Sequence, residues 1–315
     1  MLQLLDLAGI YFRAFHAVPA SVTAPDGRPV NAIRGALDIM ARVAADARPT
    51  RVVACLDLDW RPAFRVALLP SYKEHRVQHA RPDDPDIETV PDELGPQVPV
   101  LLEVLAAIGV TTAGADGFEA DDVIATLAET ERADPVEVVT GDRDLFQLAA
   151  AATEERPDVR VRYIGAGMSR ATVLTASDVA ARHGIPAGRY ADFAALRGDP
   201  SDGLPGVPGV GDKTAATLVT RFGSVEQLVT AAADPGSGMS AGPRRKLLAA
   251  QDYLLVAPGV VRVVRDAPVT LTPAGEGALA AEPVDPAALI ALVTEWGIGG
   301  PVKRLTDVLR RVGGA

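Results

Sequence analysis

The first half of the chain alternates short apolar runs with stretches of helical periodicity. The helical stretches are NAIRGALDIMARVAADA (31–47), VPVLLEVLAAIGV (98–110) and FEADDVIATLAETERA (118–133). The apolar runs are LQLLDLA (2–8), RVVACLD (51–57), VEVVTGDRD (136–144) and VRVRYIG (159–165). Strands that alternate with helices predict an α/β fold, with a mostly parallel central sheet covered by helices on both faces.

Carboxylates stand at the ends of three of these predicted strands. They are Asp6, Asp57, and the pair Asp142 and Asp144. In open α/β sheets, ligands bind beyond the carboxyl ends of the strands, near a topological switch point. A single aspartate at a strand end is usually a turn residue, but three strands with the same feature favour convergence on one site.

The stretch GFEADDVIATLA (117–128) places Glu119, Asp121 and Asp122 within four positions at the start of a predicted helix. Acidic residues in a first turn cap N–H groups and complement the helix dipole, which accounts for one or two of them. Three neighbouring like charges repel one another unless a cation lies among them. The cluster therefore indicates a cation site.

The second half, from about residue 175, has helical periodicity throughout and predicts a helical subdomain, with one short strand in the loop 266–286 and two short helices at the end. We place the division between the two units at residues 174 and 175, so that they span 1–174 and 175–315. Between about 70 and 97 lies a polar, Pro-rich segment that carries a cationic cluster: Lys73, His75, Arg76, His79 and Arg81. We interpret it as an element that bridges two better-packed parts.

A second acidic pair, Asp199 and Asp202, precedes the run LPGVPGVGDKTA (204–215). Helical patterns on both sides predict a helix-hairpin-helix over about 190–222. Its exposed N–H groups and the following helix N-terminus suit a DNA phosphate, and glycines allow the close approach. The residues that we expect at this DNA contact are Gly206, Gly209, Gly211, Lys213 and Thr214.

The composition limits the class of protein. The chain has 315 residues, one cysteine, a net charge of −10 and a pI near 5.0. Cys55 excludes an intrachain disulfide and fits a reducing cytoplasm. We expect neither a signal peptide nor a membrane span. The acidic net charge argues weakly against nucleic acid as a partner. However, carboxylates that bind cations do not count as free negative charge once the cations are bound.

Nine carboxylates in one cleft would not all stay ionised without cations. An oxygen-only ligand set selects Mg²⁺ or Mn²⁺ over zinc. Two divalent ions roughly 3.5–4 Å apart would clamp the attacking and leaving oxygens of a phosphodiester. The nine are Asp6, Asp57, Glu119, Asp121, Asp122, Asp142, Asp144, Asp199 and Asp202.

Nearly the whole chain resembles the 5′-nuclease (flap endonuclease) family, and within it the 5′-exonuclease domain of bacterial DNA polymerase I, here without a polymerase domain. Five motifs in order carry the resemblance: Asp6 with YFRAFHA, then FR…PSYKEHR, GFEADDVIATLA, VVTGDRDLFQL and LRGDPSDGLPGVPGVGDKTA. The resemblance implies a Rossmann-like, PIN-type sheet, a helical arch over the site, and metal-dependent cleavage of branched DNA at the 5′ end.

The resemblance also implies residue roles. The nine carboxylates would be the metal ligands, and Lys73 and Arg76 would contact the scissile phosphate at the base of the arch. The hairpin Gly206–Lys213 would hold the duplex, in this family often with a monovalent cation. The expected partner is DNA with a 5′ flap or 5′ end, or an RNA–DNA hybrid, bound by a monomer in the cytoplasm at the nucleoid.

Three positions depart from the family pattern. Leu7 and Ala8 follow Asp6 where Asp-Gly is usual, and Gly203 stands where Asn is common. The segment from Asp57 to Arg65 is one residue longer than usual, so Asp59 competes with Asp57 for the second-strand role, and we prefer Asp57. The residues leave four questions open. They do not decide whether the metal is Mg²⁺ or Mn²⁺, how endonuclease and exonuclease action are balanced, or whether the 5′ strand is DNA or RNA. They also leave open a DNA-binding scaffold that has lost catalysis.

Overall fold

A seven-stranded sheet forms the centre of the protein in a computed structural model that describes residues 1–78 and 88–313. The strand order is β6-β5-β4-β1-β2-β3-β7, and all neighbours are parallel except the two edge strands, β6 and β7. The strands are β1 Leu2–Asp6, β2 Arg51–Cys55, β3 Thr111–Gly114, β4 Val136–Thr140, β5 Val159–Tyr163, β6 Thr172–Leu174 and β7 Thr270–Thr272. The predicted α/β class and mostly parallel sheet are confirmed.

Helices cover both faces of this sheet. In chain order they are α1 Leu7–Ala17, α2 Asn31–Ala47, α3 Ala63–Leu68, α4 Gln97–Ile108, α5 Ala120–Thr130, α6 Ala176–His183, α7 Tyr190–Arg197, α8 Asp212–Phe222, α9 Val225–Ala233, α10 Ala241–Ala249, α11 Gln251–Val261, α12 Pro286–Trp296 and α13 Gly299–Gly313. In the part of the chain that the structure describes, no helix is long and apolar enough to cross a membrane.

Two apolar cores lie on opposite faces of the sheet because successive strand side chains point in opposite directions. Leu4 and Val53 belong to the core shared with α5, α7 and α11, whereas Leu5 and Val52 belong to the core shared with α1, α2 and α4. The central strands β1 and β4 are buried along their whole length, as parallel strands between helix layers should be. Their carboxyl ends are therefore held rigidly.

The last two helices, α12 and α13, pack on the N-terminal half of the chain. Their apolar residues, among them Leu289, Trp296 and Leu305, join the core of α2 and α4. The division of the chain at residues 174 and 175 stays a prediction. An apolar helix face is buried where a complementary face lies, irrespective of sequence order.

The helical subdomain contains the predicted helix-hairpin-helix, with α7 and α8 joined by the segment 198–211. The stretch 244–257 reads as one helical pattern, but the structure divides it between α10 and α11 at Ala250. From the expected arch over about 70–97, the described residues show a 3₁₀ turn at Glu74–Arg76 and an antiparallel bridge between Val77 and Glu88. Residues 79–87 of the expected arch, with His79 and Arg81, lie outside the described residues.

Candidate active site

A cavity of about 810 Å³ opens at the carboxyl ends of the central strands. Because β1, β2 and β4 are parallel, the residues that follow them meet at this edge. Five of the predicted acidic residues and both predicted cations line the cavity: Asp6, Asp57, Glu119, Asp121, Asp142, Lys73 and Arg76. The structure therefore brings together residues that are separated by more than a hundred positions in the sequence.

Asp6 links the end of β1 to the start of α1. Its Oδ1 accepts a hydrogen bond from the Gly9 N–H at 2.8 Å, and its Oδ2 accepts one from the Thr140 hydroxyl at 2.8 Å. A Cβ at Gly9 would overlap the Asp6 carboxylate, so glycine is required there. These contacts orient a largely buried carboxylate toward the cavity.

Asp57, rather than Asp59, occupies the second-strand position in the cavity. Its Oδ1 accepts from the Ala120 N–H at 2.6 Å, at the N-terminus of α5. The Asp59 carboxylate instead accepts from the Arg61 N–H at 3.1 Å, and Asp59 does not line the cavity. The geometry supports the preference for Asp57.

The three acids at the start of α5 divide into two roles. Glu119 and Asp121 line the cavity, but Asp122 does not. The fully buried Asp122 carboxylate accepts two hydrogen bonds from Arg65, at 2.8 and 2.7 Å, and two more from the Glu119 and Val264 N–H groups. Its acceptor positions are filled by protein donors, which favours a supporting role for Asp122 over the predicted role as a metal ligand.

A second acidic group lies where the helical subdomain meets the sheet. Asp144 and Asp202 line a small cleft together with Glu119 and Asp121, which links this group to the main cavity. Asp199 stands beside it, with Oδ1 bonded to the Ser201 N–H at 3.0 Å and Oδ2 facing Arg197 at 3.3 Å. Asp144 Oδ1 is buried and has no hydrogen-bond partner among the residues that the structure describes. A buried acceptor without a partner is costly, and a bound cation would satisfy it.

The base of the arch presents two cations to the two acidic groups. Lys73 Nζ contacts Glu119 Oε1, and Arg76 Nη2 lies 3.2 Å from Asp202 Oδ1. Tyr72 donates its hydroxyl to Glu119 Oε2 at 2.7 Å. The YKxxR motif thus places its charges against carboxylates of both groups.

Burial and mutual repulsion raise the pKa values of these acids. Desolvation is the main cause for Asp121 and Asp144, and the neighbouring Asp142 adds to it. Desolvation also raises the pKa of Asp57 to about 7 and that of Asp202 to about 6, against the opposing effect of Lys73. Although burial disfavours the Lys73 ammonium, Glu119 holds its pKa well above the ordinary value.

The residues present fit divalent cations. Carboxylate oxygens are the preferred ligands of Mg²⁺ and Mn²⁺, and a cation would reverse the raised pKa values. Within residues 1–78 and 88–313, no three acidic, histidine or cysteine side chains are already arranged to hold an ion. The carboxylates of Glu119, Asp57 and Asp6 accept hydrogen bonds from protein donors instead.

The raised pKa values predict that the metal-free protein becomes less stable as the pH rises. The folded-state pKa values of Asp57 and Asp202, about 7 and 6, lie above the ordinary aspartate value of 3.8. Their contribution to stability is therefore fully present below about pH 4 and is lost as the pH rises through 6 and 7. Urea unfolding in EDTA should show this loss, and the Asp57→Asn, Asp202→Asn double variant should reduce it. An unchanged pH profile in that variant would contradict the assignment.

The hairpin of the helix-hairpin-helix depends on glycine at two turns. Gly206 and Gly209 have φ values of +64° and +73°, in the left-handed region. A Cβ at Gly206 would lie 2.6 Å from the backbone of Arg197 and Gly198. Lys246 Nζ donates to the Gly209 carbonyl at 2.6 Å, so this lysine braces the hairpin from α10. Lys213 is exposed at the start of α8, where Thr214 is half-buried.

We expect Gly206→Ala to lower the stability of the hairpin and to weaken duplex binding. The left-handed backbone alone costs a non-glycine residue about 1–2 kcal/mol, and the backbone overlap adds to this. Gly211→Ala is the matched control for stability, since a Cβ there meets no atom within 4 Å. Chemical unfolding would measure both variants. Equal stability of Gly206→Ala and Gly211→Ala would contradict the role of Gly206.

Several cavity residues were not identified from the sequence as site residues. Phe12, Arg13 and His16 of α1 line the cavity, as does Trp60. Among the described residues, the buried Arg13 Nε has no hydrogen-bond partner. All three helix residues belong to the motif YFRAFHA, where His16 follows Phe12 by four positions and Arg13 by three, a spacing that would have indicated a shared face.

Comparison with protein families identifies the chain. Residues 1–184 match the 5′-3′ exonuclease, N-terminal resolvase-like domain, and residues 185–286 match the 5′-3′ exonuclease, C-terminal SAM fold. The chain belongs to the 5′-3′ exonuclease family. A relative named 5′-3′ exonuclease from Mycobacterium tuberculosis is 54% identical over 314 residues, which cover 98% of this chain and 97% of the relative.

Other relatives of this exonuclease-family chain are also named by activity. A 5′-3′ exonuclease of Streptomyces coelicolor is 50% identical over 308 residues, or 98% of this chain and 99% of the relative. DNA polymerase I of Mycobacterium bovis is 41% identical over 231 residues, or 72% of this chain and 24% of the polymerase. The predicted resemblance to the exonuclease domain of bacterial DNA polymerase I is confirmed.

Solved structures show the same fold at low sequence identity. The bacteriophage T5 flap endonuclease, in a pseudo-enzyme-product complex with DNA and metal ions, has a TM-score of 0.60 and 17% identity, covering 100% of this chain and 99% of that chain. Human GEN1 in complex with Holliday junction DNA has a TM-score of 0.63 and 15% identity, covering 98% and 71%. The predicted PIN-type nuclease architecture agrees with both.

Proposed function

We propose that this protein is a structure-selective 5′ nuclease that hydrolyses DNA phosphodiesters at 5′ flaps and 5′ ends in replication and repair. The observation that carries the proposal is the convergence of Asp6, Asp57, Glu119, Asp121 and Asp142 on one cavity that Lys73 and Arg76 also line. Family membership and relatives named 5′-3′ exonuclease support it.

Two divalent ions, Mg²⁺ or Mn²⁺, fit the two acidic groups. The ligands at the main cavity would be Asp6, Asp57, Glu119, Asp121 and Asp142, and those of the second group Asp144, Asp199 and Asp202. Such ions would supply Lewis-acid activation of the phosphate and a nucleophile at neutral pH. The T5 flap endonuclease neighbour, whose structure contains metal ions, supports a metal cofactor.

The chain's own residues position the substrate and balance its charge. Lys73 and Arg76 would contact the scissile phosphate, where a cation stabilises the charge that develops during cleavage. Their pairing with the acidic groups keeps both side chains beside the cavity. Arg65 and Tyr72 hold Glu119 from the protein side, so that its remaining oxygen positions face the cavity.

The helix-hairpin-helix would hold the duplex. The backbone and side-chain donors that would contact it come from Gly206, Gly209 and Gly211 before α8 and from Lys213 and Thr214 at its start. A monovalent cation at the hairpin would support this contact. The T5 and GEN1 neighbours, whose structures contain DNA, support a DNA partner. We propose that the protein acts as a monomer in the cytoplasm at the nucleoid.

Substrate selectivity tests this proposal. Labelled 5′-flap, nicked, blunt and single-stranded DNAs of equal length, together with a flap whose 5′ strand is RNA, would be compared in one competition assay. We expect the DNA flap to be cleaved in preference to single-stranded DNA of the same sequence. Equal cleavage of all DNAs would contradict structure selectivity, and preference for the RNA flap would favour an RNA-primer-directed nuclease.

A DNA-binding scaffold without catalysis is the second candidate. A degenerate relative should have lost acids or the arch cations, whereas this chain retains Lys73, Arg76 and the carboxylates that line the cavity. The retained charges favour the enzyme, because nine acids without cations would oppose folding and DNA binding alike.

A further inference from the structure

Two cations at the base of the arch hold one carboxylate from each acidic group. Lys73 Nζ contacts Glu119 Oε1 and lies 3.3 Å from the Trp60 carbonyl. Arg76 Nη2 donates to the Ser201 carbonyl at 2.7 Å and to Asp202 Oδ1 at 3.2 Å. The Lys73 and Glu119 side chains are only 13% and 6% exposed. The Lys73–Glu119 contact is therefore largely desolvated, whereas in the Arg76–Asp202 pair the arginine is 35% exposed and the aspartate 13%.

These cations compete with a divalent ion for the same oxygens. Lys73 engages Glu119 Oε1, while Arg65 and Tyr72 engage Oε2, so both oxygens of Glu119 already have protein partners. Lys73 and Arg76 are also the side chains that the scissile phosphate would need. A positive charge that neutralises the acids cannot contribute its full charge to a phosphate at the same time.

We propose that Lys73 and Arg76 act as stand-ins for the divalent ions, so that metal loading displaces both side chains from the carboxylates and releases them for the substrate phosphate. This inference rests on the proposed function, since it takes the acids as metal ligands. The exchange would couple metal binding to substrate binding. Lys73 and Arg76 become available to the phosphate only when the divalent ions that activate the phosphate are in place.

The backbone of this segment can stay docked during the exchange. Lys73 N–H donates to the Asp202 carbonyl at 3.0 Å, and the Ser71 hydroxyl donates to the Gly203 carbonyl at 3.0 Å. A Cβ at Gly203 would overlap the Ser71 carbonyl oxygen, which explains why glycine replaces the family's usual Asn here. Release thus requires side-chain rotation alone, and the two cations remain at the cavity.

Calorimetric titration of the full chain with Mn²⁺ tests the competition without any measurement of activity. We expect Lys73→Met and Arg76→Met to raise Mn²⁺ affinity roughly tenfold or more, because each removes a charged hydrogen bond that the ion must displace. Arg143→Met is the matched control. Arg143 is exposed between Asp142 and Asp144 and pairs with no carboxylate in the described chain, so its loss should change affinity a few-fold at most.

Fluorescence of Trp60 gives a second readout, since its carbonyl accepts from Lys73. In a Trp296→Phe background, Mn²⁺ or Mg²⁺ should change Trp60 emission in the otherwise unchanged chain. The change should disappear in Lys73→Met although the ion still binds. Two results would overturn this inference without touching the proposed function. One is a gain in Mn²⁺ affinity for Lys73→Met and Arg76→Met no larger than that for Arg143→Met. The other is a Trp60 fluorescence change that persists in Lys73→Met. Absence of divalent-ion binding in every variant would overturn the proposed function with it.

Discussion

Asp121→Ala is expected to reduce flap cleavage roughly a thousandfold, because a divalent ion contributes several kcal/mol to the stabilisation of the transition state. Asp121 lines both the main cavity and the cleft that holds Asp144 and Asp202. Glu119 lines both as well, but its two oxygens already have protein donors, so Asp121 is the carboxylate best placed to serve both acidic groups. Single-turnover cleavage of a labelled 5′ flap would measure the loss.

The control for this variant is Asp116→Ala, which removes an exposed aspartate from the loop before α5, outside the cavity. It should cleave like the unchanged protein. Asp121→Ala itself should fold at least as stably in EDTA, because burial and its acidic neighbours raise the pKa of Asp121 and make its charge unfavourable. Cleavage by Asp121→Ala within tenfold of the unchanged protein would contradict the assignment.

Arg65→Met is expected to destabilise the protein by about 3–5 kcal/mol, since it leaves buried carboxylates without their cation. The Arg65 side chain is 3% exposed and pairs with Glu119 at 2.5 Å and with Asp122 at 2.7 Å. Its Nε also donates to the Val260 carbonyl at 3.0 Å. Arg65 thereby joins α3, the start of α5 and the end of α11, and its loss should disturb the acids of the cavity as well as stability.

The same substitution at an exposed ion pair is the control. Arg304 pairs with Asp38 through two bonds, at 2.8 and 3.0 Å, but the two side chains are 54% and 44% exposed. Arg304→Met should therefore cost about 1 kcal/mol or less. Urea unfolding of both variants at neutral pH would measure the difference. A cost for Arg65→Met as small as that for Arg304→Met would show that Arg65 is not a structural centre of the site.

The sequence predicted the central strands because their apolar runs are long and bounded by acids, and the α/β class followed from their alternation with helices. It did not predict β3, whose residues Thr111–Gly114 have no apolar periodicity of their own. That strand is formed by its neighbours, since β2 pairs with it on one side and β7 on the other. Pairing partners distant in sequence leave no local signal.

The candidate site was predictable in its composition but not in the direction of each side chain. Glu119, Asp121 and Asp122 appear equivalent in the sequence, whereas the helix start turns Asp122 toward Arg65 and Asp121 toward the cavity. The spacing of Glu119 and Asp122 is that of a capping box, which the structure contains. That spacing was the one signal for a structural Asp122, and its buried partner Arg65 lies 57 positions away.

Cleavage of an end-labelled 5′-flap duplex in Mg²⁺, Mn²⁺ or EDTA, by the unchanged protein and by Asp142→Ala, tests the central claim most directly. Asp142 is exposed to the cavity, so its removal should leave the fold intact. The account predicts cleavage near the flap junction that requires a divalent ion and is lost in Asp142→Ala. Binding of the duplex without cleavage in either metal would contradict the account and leave a DNA-binding scaffold.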